Sequence, residues 1–430
     1  MYKLFILDLP KTDISKFNNT NLVSFSDNIN QPLIELGFQV FLHRTKNAME
    51  ITTKLESKDK FYYVISLFEH LIKSYKDDIK SATLKYLKAE KEPPVLSRAF
   101  YKMWEIIYIF DLVKENMNVA GLAEGPGAFI QAVIKYKENL GMNFKKDNFY
   151  GITLHTEDKL DMNTTFLKFN QKKYPKLLKI FKTSKKNDGD ITKMENLDAF
   201  ENFVGKNKAD LVTADGGFDW KNENYQEQEA YKLIIGEMIG ALKVQKKGGN
   251  FVLKIFETFT MVSLKLIYFL TSFYEENHII KPYFSRESNS EKYLVCKNFK
   301  DTNKEKIKLL ETILNTSNKT DKFIKDIFLD INLPANFIDK FKYTNINIAN
   351  NQQIQINKIV TYIKGNNFFG DDYHAYLDKQ IAASKWWIET FFPEKKNLSK
   401  KQKELQSSLN KIKDDNNQDL INFTKNLVVS

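Results

Sequence analysis

The stretch 118–133, NVAGLAEGPGAFIQAV, constrains the chain most, because a short apolar run meets a glycine-bracketed turn and then a helical pattern. Val119, Leu122 and Ala123 suit a buried strand. Gly125, Pro126 and Gly127 permit a turn that brings backbone close to a ligand before Phe129, Ile130 and Val133 begin a helical apolar face. The N–H groups at such a helix start face whatever lies in the crevice beyond the strand. The pattern reads as a nucleotide-cofactor loop; an ordinary structural turn is the alternative that the rest of the chain must displace.

At 430 residues and 42% hydrophobic, the chain can build one large core plus accessory units. A formal net charge of +11 favours a polyanionic partner, although solvated lysine faces also account for it. Cys296 is the only cysteine, which excludes an internal disulfide or a cysteine-based zinc site and fits a reducing compartment. The opening MYKLFILDLPKTD has too short an apolar run for a signal peptide, and no later run reaches membrane-spanning length. An intracellular, cytoplasmic protein with no membrane partner is expected.

The basic residues are lysine except for Arg44, Arg98 and Arg286, and asparagine is abundant, a bias that suits an AT-rich coding genome such as that of a large DNA virus or a cytoplasmic genetic element. In such a chain a retained arginine points to a need for planar, two-pronged geometry.

Residues 1–93 mix β-like runs (4–7, 39–42 and 49–52) with a helical pattern over 60–75, and read as a small α+β accessory domain without a chemical motif. The Pro93-Pro94 pair then punctuates the chain, and Ser97 caps a helix with an apolar stripe of Phe100, Trp104, Ile107 and Leu112, leaving Lys102 on the other face. FYGITL at 149–154 reads as a second strand followed by a long connection. Within it, residues 168–186 hold eight lysines, no acidic residue and interleaved Phe169, Tyr174 and Phe181. Such a stretch could grip a phosphate backbone, or be a plain amphipathic surface helix. It ends at the acidic loop Asp188, Gly189, Asp190.

ADLVTADGG, from 209, gives a buried strand ending in Asp215 at a Gly-Gly turn, and the carboxyl end of a parallel strand is where open α/β sheets place their chemistry. GGNFVLKIFE, from 248, carries Lys254 inside an apolar strand; a buried ammonium calls for a carboxylate partner, with a strand-edge lysine as the bland alternative. Tyr293, Val295 and Cys296 belong to a last strand, with Glu291 at its entrance and Arg286 in the preceding loop. From 301 onward, lysine-rich helical stretches alternate with Asn-rich connections, and Trp386 and Trp387 read as core. After Pro393 the tail is polar and reads as a solvated or partly disordered helix.

The alternation over 118–299 predicts an α/β fold, a Rossmann-like doubly wound, mostly parallel sheet, flanked by the N-terminal unit (1–93) and a helical C-terminal domain (301–430), with the central domain at 94–300.

SRAFYKMWEI around Lys102, LAEGPGAF around Gly125, DLVTADGG around Asp215, GGNFVLKIF around Lys254 and SRESNSEKYLVC around Glu291 together resemble the FtsJ-like RNA 2'-O-methyltransferases, in particular their mRNA cap branch. That resemblance implies a class I methyltransferase fold, S-adenosyl-L-methionine as cofactor with no metal, and RNA, especially capped mRNA, as partner, alongside other capping or transcription enzymes. It places a Lys-Asp-Lys-Glu tetrad on Lys102, Asp215, Lys254 and Glu291. It sets Gly125, Pro126, Gly127, Ala128 and Phe129 at the cofactor loop and Asp190 near the adenine, with Asp215 also beside the cofactor. Many S-adenosylmethionine enzymes hold the ribose with an acidic residue after the second strand, where this chain has His155 and Thr156. Asp188, Asp190 and Glu124 are the candidates instead.

The implied proton acceptor is Lys254, which needs a pKa drawn toward working pH: burial and Lys102 push it down, Asp215 and Glu291 pull it up. The expectation is that repulsion from Lys102 decides. Arg98 or Arg286 is expected to hold an RNA phosphate or a tetrad carboxylate, with Ser290 as a further RNA contact. Other readings are a 2'-O-methyltransferase of ribosomal RNA, a non-catalytic RNA-binding subunit of a transcription or polyadenylation complex, and a nicotinamide oxidoreductase. The last lacks the GxGxxG spacing.

Overall fold

The computed structural model describes residues 4–18, 21–29, 36–55, 61–71, 83, 85–87, 91–155, 162–182, 188–217, 222–392 and 398–429. Its centre is an eight-stranded sheet. Five strands run parallel: β3 (Asn118–Leu122), β4 (Asn148–Ile152), β5 (Leu178–Ile180), β6 (Ala209–Ala214) and β7 (Gln245–Ile255). Beyond β7 the antiparallel β9 (Lys292–Phe299) pairs with β8 (Tyr274–Lys281), and β1 (Phe5–Asp8) closes that edge. The strand order is β1-β8-β9-β7-β6-β3-β4-β5. A small second sheet pairs β2 (Val23–Ser26) with β10 (Phe323–Ile327).

Period-two alternation divides the strands between two cores. Val212, Phe251, Leu253, Leu294 and Cys296 point to helices Met194–Val204, Tyr231–Val244, Met261–Thr271 and Lys304–Ser317. Leu211, Val252, Tyr293 and Val295 point to helices Arg98–Phe110, Ala128–Leu140, Gly370–Phe391 and Leu398–Val429. Chains leave β3 and β6 to opposite sides, so their carboxyl ends, Leu122 beside Ala214, bound a crevice. No helix among the described residues is long and apolar enough to cross a membrane.

Several local expectations are corrected. Residues 39–42 and 49–52 are not strands: they fall in the helix Leu36–Asn47 and the 3-10 turns Ala48–Leu55. The burial of Gln39 and Leu42 with Val40 and Phe41 exposed is the i, i+3 spacing of a helix. Of the expected helix over 60–75, the described residues form only the 3-10 turns Phe61–Ile65 and Glu69–Leu71. The lysine-rich stretch is the helix Thr164–Lys173 followed by β5, with 183–186 outside the described residues, as is Thr156.

The Asn-rich residues near 345–351 are not a connection but lie inside the 30-residue helix Ala335–Lys364, where burying Phe341, Ile348 and Ile356 outweighs the weak helix preference of asparagine. The tail is docked rather than merely solvated: Leu405, Leu409 and Leu420 are buried, and Asn416 donates to Ile6 O at 2.9 Å. Trp387 is core, fully buried, as expected.

Candidate active site

At the end of β3 the chain turns through a cis Gly125-Pro126 bond into the helix Ala128–Leu140. Gly127, at φ 109°, occupies the helix start, a backbone conformation that suits glycine. Gly127 has no side chain with which to cap this end, and Glu124 does so from the preceding turn. Glu124 is buried and turned toward the helix: its Oε1 accepts the Ile130 N–H at 2.9 Å, and burial pushes its carboxyl up to about 8 despite that bond. At the end of β6, Asp215 begins a turn fixed by Glu237, whose Oε1 accepts the Gly216 N–H at 2.9 Å. A side chain at Gly216 would meet Glu237, since a Cβ there would lie 2.5 Å from that oxygen.

Lys254 projects from β7 directly opposite Tyr293 on β9. Its Nζ donates to Asp215 O at 2.9 Å and stands 3.3 Å from Asp215 Oδ1, while Tyr293 OH donates to the same Oδ1 at 2.9 Å. Lys102 sits between both oxygens of Glu291, at 2.7 and 2.8 Å. Lys281 braces the entrance to β9, donating to Glu291 O at 2.8 Å and to Asn289 Oδ1 at 2.9 Å. The structure therefore brings Lys102, Asp215, Lys254 and Glu291 to one end of the sheet, with side chains 11–18% exposed: desolvated, yet within reach of a ligand.

Electrostatics overturn one expectation. Burial lowers the Lys254 pKa, but Asp215, Glu291 and Glu237 outweigh it, and the ammonium is held above its ordinary value. Lys102 does not supply a decisive repulsion because its charge is spent on Glu291. Burial alone would raise the Glu291 carboxyl, yet Lys102 and Lys254 bring it well below the usual range. Lys281 is drawn down to about 7, chiefly by burial.

The two arginines meet on a residue that the sequence did not single out. Arg98 Nη1 and Arg286 Nε each lie 2.6 Å from Glu69 Oε1, a carboxylate outside the tetrad. Arg286 also stacks 3.8 Å above the Tyr63 ring centroid. Ser290, the further RNA contact expected, is 4% exposed.

Asp188 and Asp190 lie beyond the end of β4, where His155 N–H donates to Asp188 O at 2.8 Å. Asp188 accepts from Lys193 and Asn196 at 2.5 and 2.8 Å, and Asp190 Oδ1 from the Thr192 hydroxyl at 2.7 Å. Tyr293, Glu237, Lys281 and Glu69 were missed in the sequence; only Tyr293, two residues from Glu291 and so on the same face at the strand entrance, carried a usable signal.

This mostly parallel sheet, with the antiparallel β9 inserted near one edge and polar groups gathered at the carboxyl ends of β3, β6 and β7, defines the Rossmann-like fold of class I methyltransferases. The family model for FtsJ-like methyltransferase matches residues 95–299, and this part of the chain is an FtsJ-like methyltransferase domain. It contains all four tetrad positions. The chain is 34% identical over 185 residues to cap-specific mRNA (nucleoside-2'-O-)-methyltransferase 1 of Trypanosoma cruzi, covering 43% of this chain and 48% of that one. To the protein of that name from Leishmania braziliensis it is 36% identical over 182 residues, covering 42% and 44%. To the one from Mus musculus it is 33% identical over 231 residues, covering 48% and 26%. The chain spans about half or less of the length of these curated relatives.

Proposed function

We propose that the protein transfers a methyl group from S-adenosylmethionine to a ribose 2'-hydroxyl of RNA, at a cap-proximal nucleotide of mRNA. The observation that carries this reading is the convergence of the Lys102–Glu291 and Lys254–Asp215 pairs at one end of the sheet.

The crevice suits the cofactor. Helix Ala128–Leu140, capped by Glu124, would turn the positive end of its dipole toward a ligand, and the glycine turns after β3 and β6 would let backbone approach it. Residues 124–129 would hold its amino acid end, with Asp215 alongside and Asp188 and Asp190 toward its nucleoside. Bound there, it would supply a sulfonium methyl, an electrophile that needs no metal activation. Lys254 would take the proton of the 2'-hydroxyl, Asp215 would orient it, and Lys102 with Glu291 would set the field around it. Arg98 and Arg286 would face the RNA.

Methyl transfer from labelled S-adenosylmethionine to capped and uncapped RNA, with the product mapped by nuclease resistance, tests this. Cap-dependent 2'-O label that is lost in Lys254→Ala is the expected result. Cap-independent label would move the substrate to structural RNA. Tight RNA binding without label would make the chain an RNA-binding subunit.

A further inference from the structure

The peptide group between Asp215 and Gly216 is held at both of its ends. Its carbonyl, Asp215 O, accepts from Lys254 Nζ at 2.9 Å, and its N–H, on Gly216, donates to Glu237 Oε1 at 2.9 Å. The one cis bond among the described residues is Gly125-Pro126, so this peptide is trans and its two polar groups point in opposite directions. Lys254 and Glu237 therefore grip one rigid plane from opposite sides, and a rotation of that plane breaks both contacts together.

The local sequence makes such a grip necessary. Gly216 and Gly217 follow Asp215, and consecutive glycines leave the backbone unusually free. Yet this is where Lys254 needs the backbone fixed: its Nζ stands 3.3 Å from Asp215 Oδ1, and a Cβ on Gly217 would lie 3.4 Å from it. Tyr293 steadies the side chain of Asp215 through its hydroxyl, and Glu237 steadies the main chain. Glu237 is a costly residue for that place. It lies within the apolar helix Tyr231–Val244, is fully buried, and burial pushes its carboxyl up to about 8. Oε1 serves Gly216, while Oε2 is buried with no hydrogen-bond partner among the described residues. An apolar side chain would pack there without leaving a polar atom stranded, so what Glu237 contributes is the acceptor.

We propose that Glu237 is a positioning residue: by fixing the Asp215–Gly216 peptide it aims the Asp215 carbonyl at Lys254. An N–H of Lys254 committed to that carbonyl limits how the amine can turn, and with it the direction of the lone pair that takes the proton. Being buried, Glu237 acts through the peptide rather than on the substrate. The inference rests on the reading of Lys254 as the proton acceptor.

Two substitutions of similar size test this, since Glu237→Gln and Glu237→Met both remove the charge but only the first keeps an oxygen for the Gly216 N–H. In Glu237→Gln kcat should stay within about threefold of wild type; in Glu237→Met it should fall about tenfold further, with KM for RNA retained in both. The hydrogen bond to Asp215 O favours the charged form of Lys254. Its loss should therefore set the rising limb of the pH–rate profile at lower pH in Glu237→Met than in Glu237→Gln, a shift that loosened packing alone does not produce. Gly216→Ala, whose Cβ would lie 2.5 Å from Glu237 Oε1, should reproduce the loss of kcat with Glu237 present. Hydrogen exchange at Gly216, read without substrate, should quicken in Glu237→Met and stay near wild type in Glu237→Gln. Equal kcat and equal pH limbs in the two folded variants, or full activity in Gly216→Ala, would overturn the positioning role and leave the methyl-transfer reading intact. Absence of methyl transfer by the unmodified chain, with exchange quickened only in Glu237→Met, would remove the catalytic reading and keep the tether.

Discussion

Lys254 and Tyr293 face each other across the antiparallel strands β7 and β9, and both reach one oxygen, Asp215 Oδ1, at 3.3 and 2.9 Å. The tyrosine fixes the carboxylate that in turn fixes the ammonium. Removing the hydroxyl in Tyr293→Phe leaves the ring's packing in place and deletes one hydrogen bond. Such a bond contributes ~1 kcal/mol, so kcat should fall by about fivefold to tenfold with little change in unfolding midpoint. Steady-state kinetics with wild-type values would remove Tyr293 from the positioning set.

The charge pairs give opposite signs for two substitutions. If neutral Lys254 is the base, activity rises with pH as its proton leaves. Burial lowers its pKa, but Asp215, Glu291 and Glu237 raise it further, so the rise lies at alkaline pH. Glu291→Gln takes away one of those anions and also frees the charge of Lys102, so the rising limb should move to lower pH. Lys102→Ala leaves Glu291 uncompensated beside Lys254 and should move the limb to higher pH. Paired pH–rate profiles check both directions, and movement of the two variants in the same direction would contradict this electrostatic assignment.

Gly127 leaves the proposed cofactor loop little tolerance for a side chain. Its φ of 109° is unfavourable for any residue with a Cβ, and that atom would fall 2.8 Å from Met162 Cε. Strain of ~1–3 kcal/mol predicts that Gly127→Ala weakens S-adenosylmethionine binding by about tenfold or more. Isothermal titration calorimetry measures it directly; unaltered affinity would place the cofactor elsewhere.

What could be read from the sequence follows from how far apart interacting residues lie. Lys254 stood out because a lysine inside an apolar strand needs a partner, and Asp215 because it ends a strand at a glycine turn. The sheet was legible for the same reason: β3, β6, β7 and β9 each carry their own apolar pattern. Glu69 was not, because it meets Arg286 across 217 residues of chain and sits in a segment without local signal. Glu237 was hidden inside an apolar helix, where a single acid resembles an ordinary exposed position, yet it is fully buried. The three-residue β5 was read as helix because lysine dominates its surroundings. Strand β8 has exposed Glu275 and Glu276 at one end, which masks its apolar half.

Glu105 ties the loop before β9 to the helix Gly370–Phe391. Its oxygens accept the N–H groups of Tyr283 and Phe284 at 2.7 and 3.2 Å and Trp387 Nε1–H at 2.9 Å. Glu105→Ala would strand three buried donors at ~1–3 kcal/mol each, a loss of roughly 3 kcal/mol or more. Urea denaturation should show a lowered midpoint, and a midpoint equal to wild type would mean that these donors find other partners.

Asp8 at the sheet edge holds the helix Leu398–Val429 in place. Its Oδ1 lies 2.6 Å from His278 Nδ1 and 2.9 Å from Lys413 Nζ. Burial raises the carboxyl pKa, but the hydrogen bonds and charges of His278 and Lys413 outweigh it and hold the group well below the ordinary carboxylate range. A depressed carboxyl stabilises the fold above its unfolded pKa, ~3.9, and that contribution is lost as pH falls through the folded value. Protection of residues 398–429 against hydrogen exchange, corrected for the intrinsic pH dependence, should be high at pH ~7 and decline in acid below pH ~4. Asp8→Asn should show reduced protection already at neutral pH and little further change on acidification, because the group whose ionisation the tie depends on is absent. Equal protection in the variant and wild type at neutral pH would assign the docking of this helix to Leu405, Leu409 and Leu420 alone.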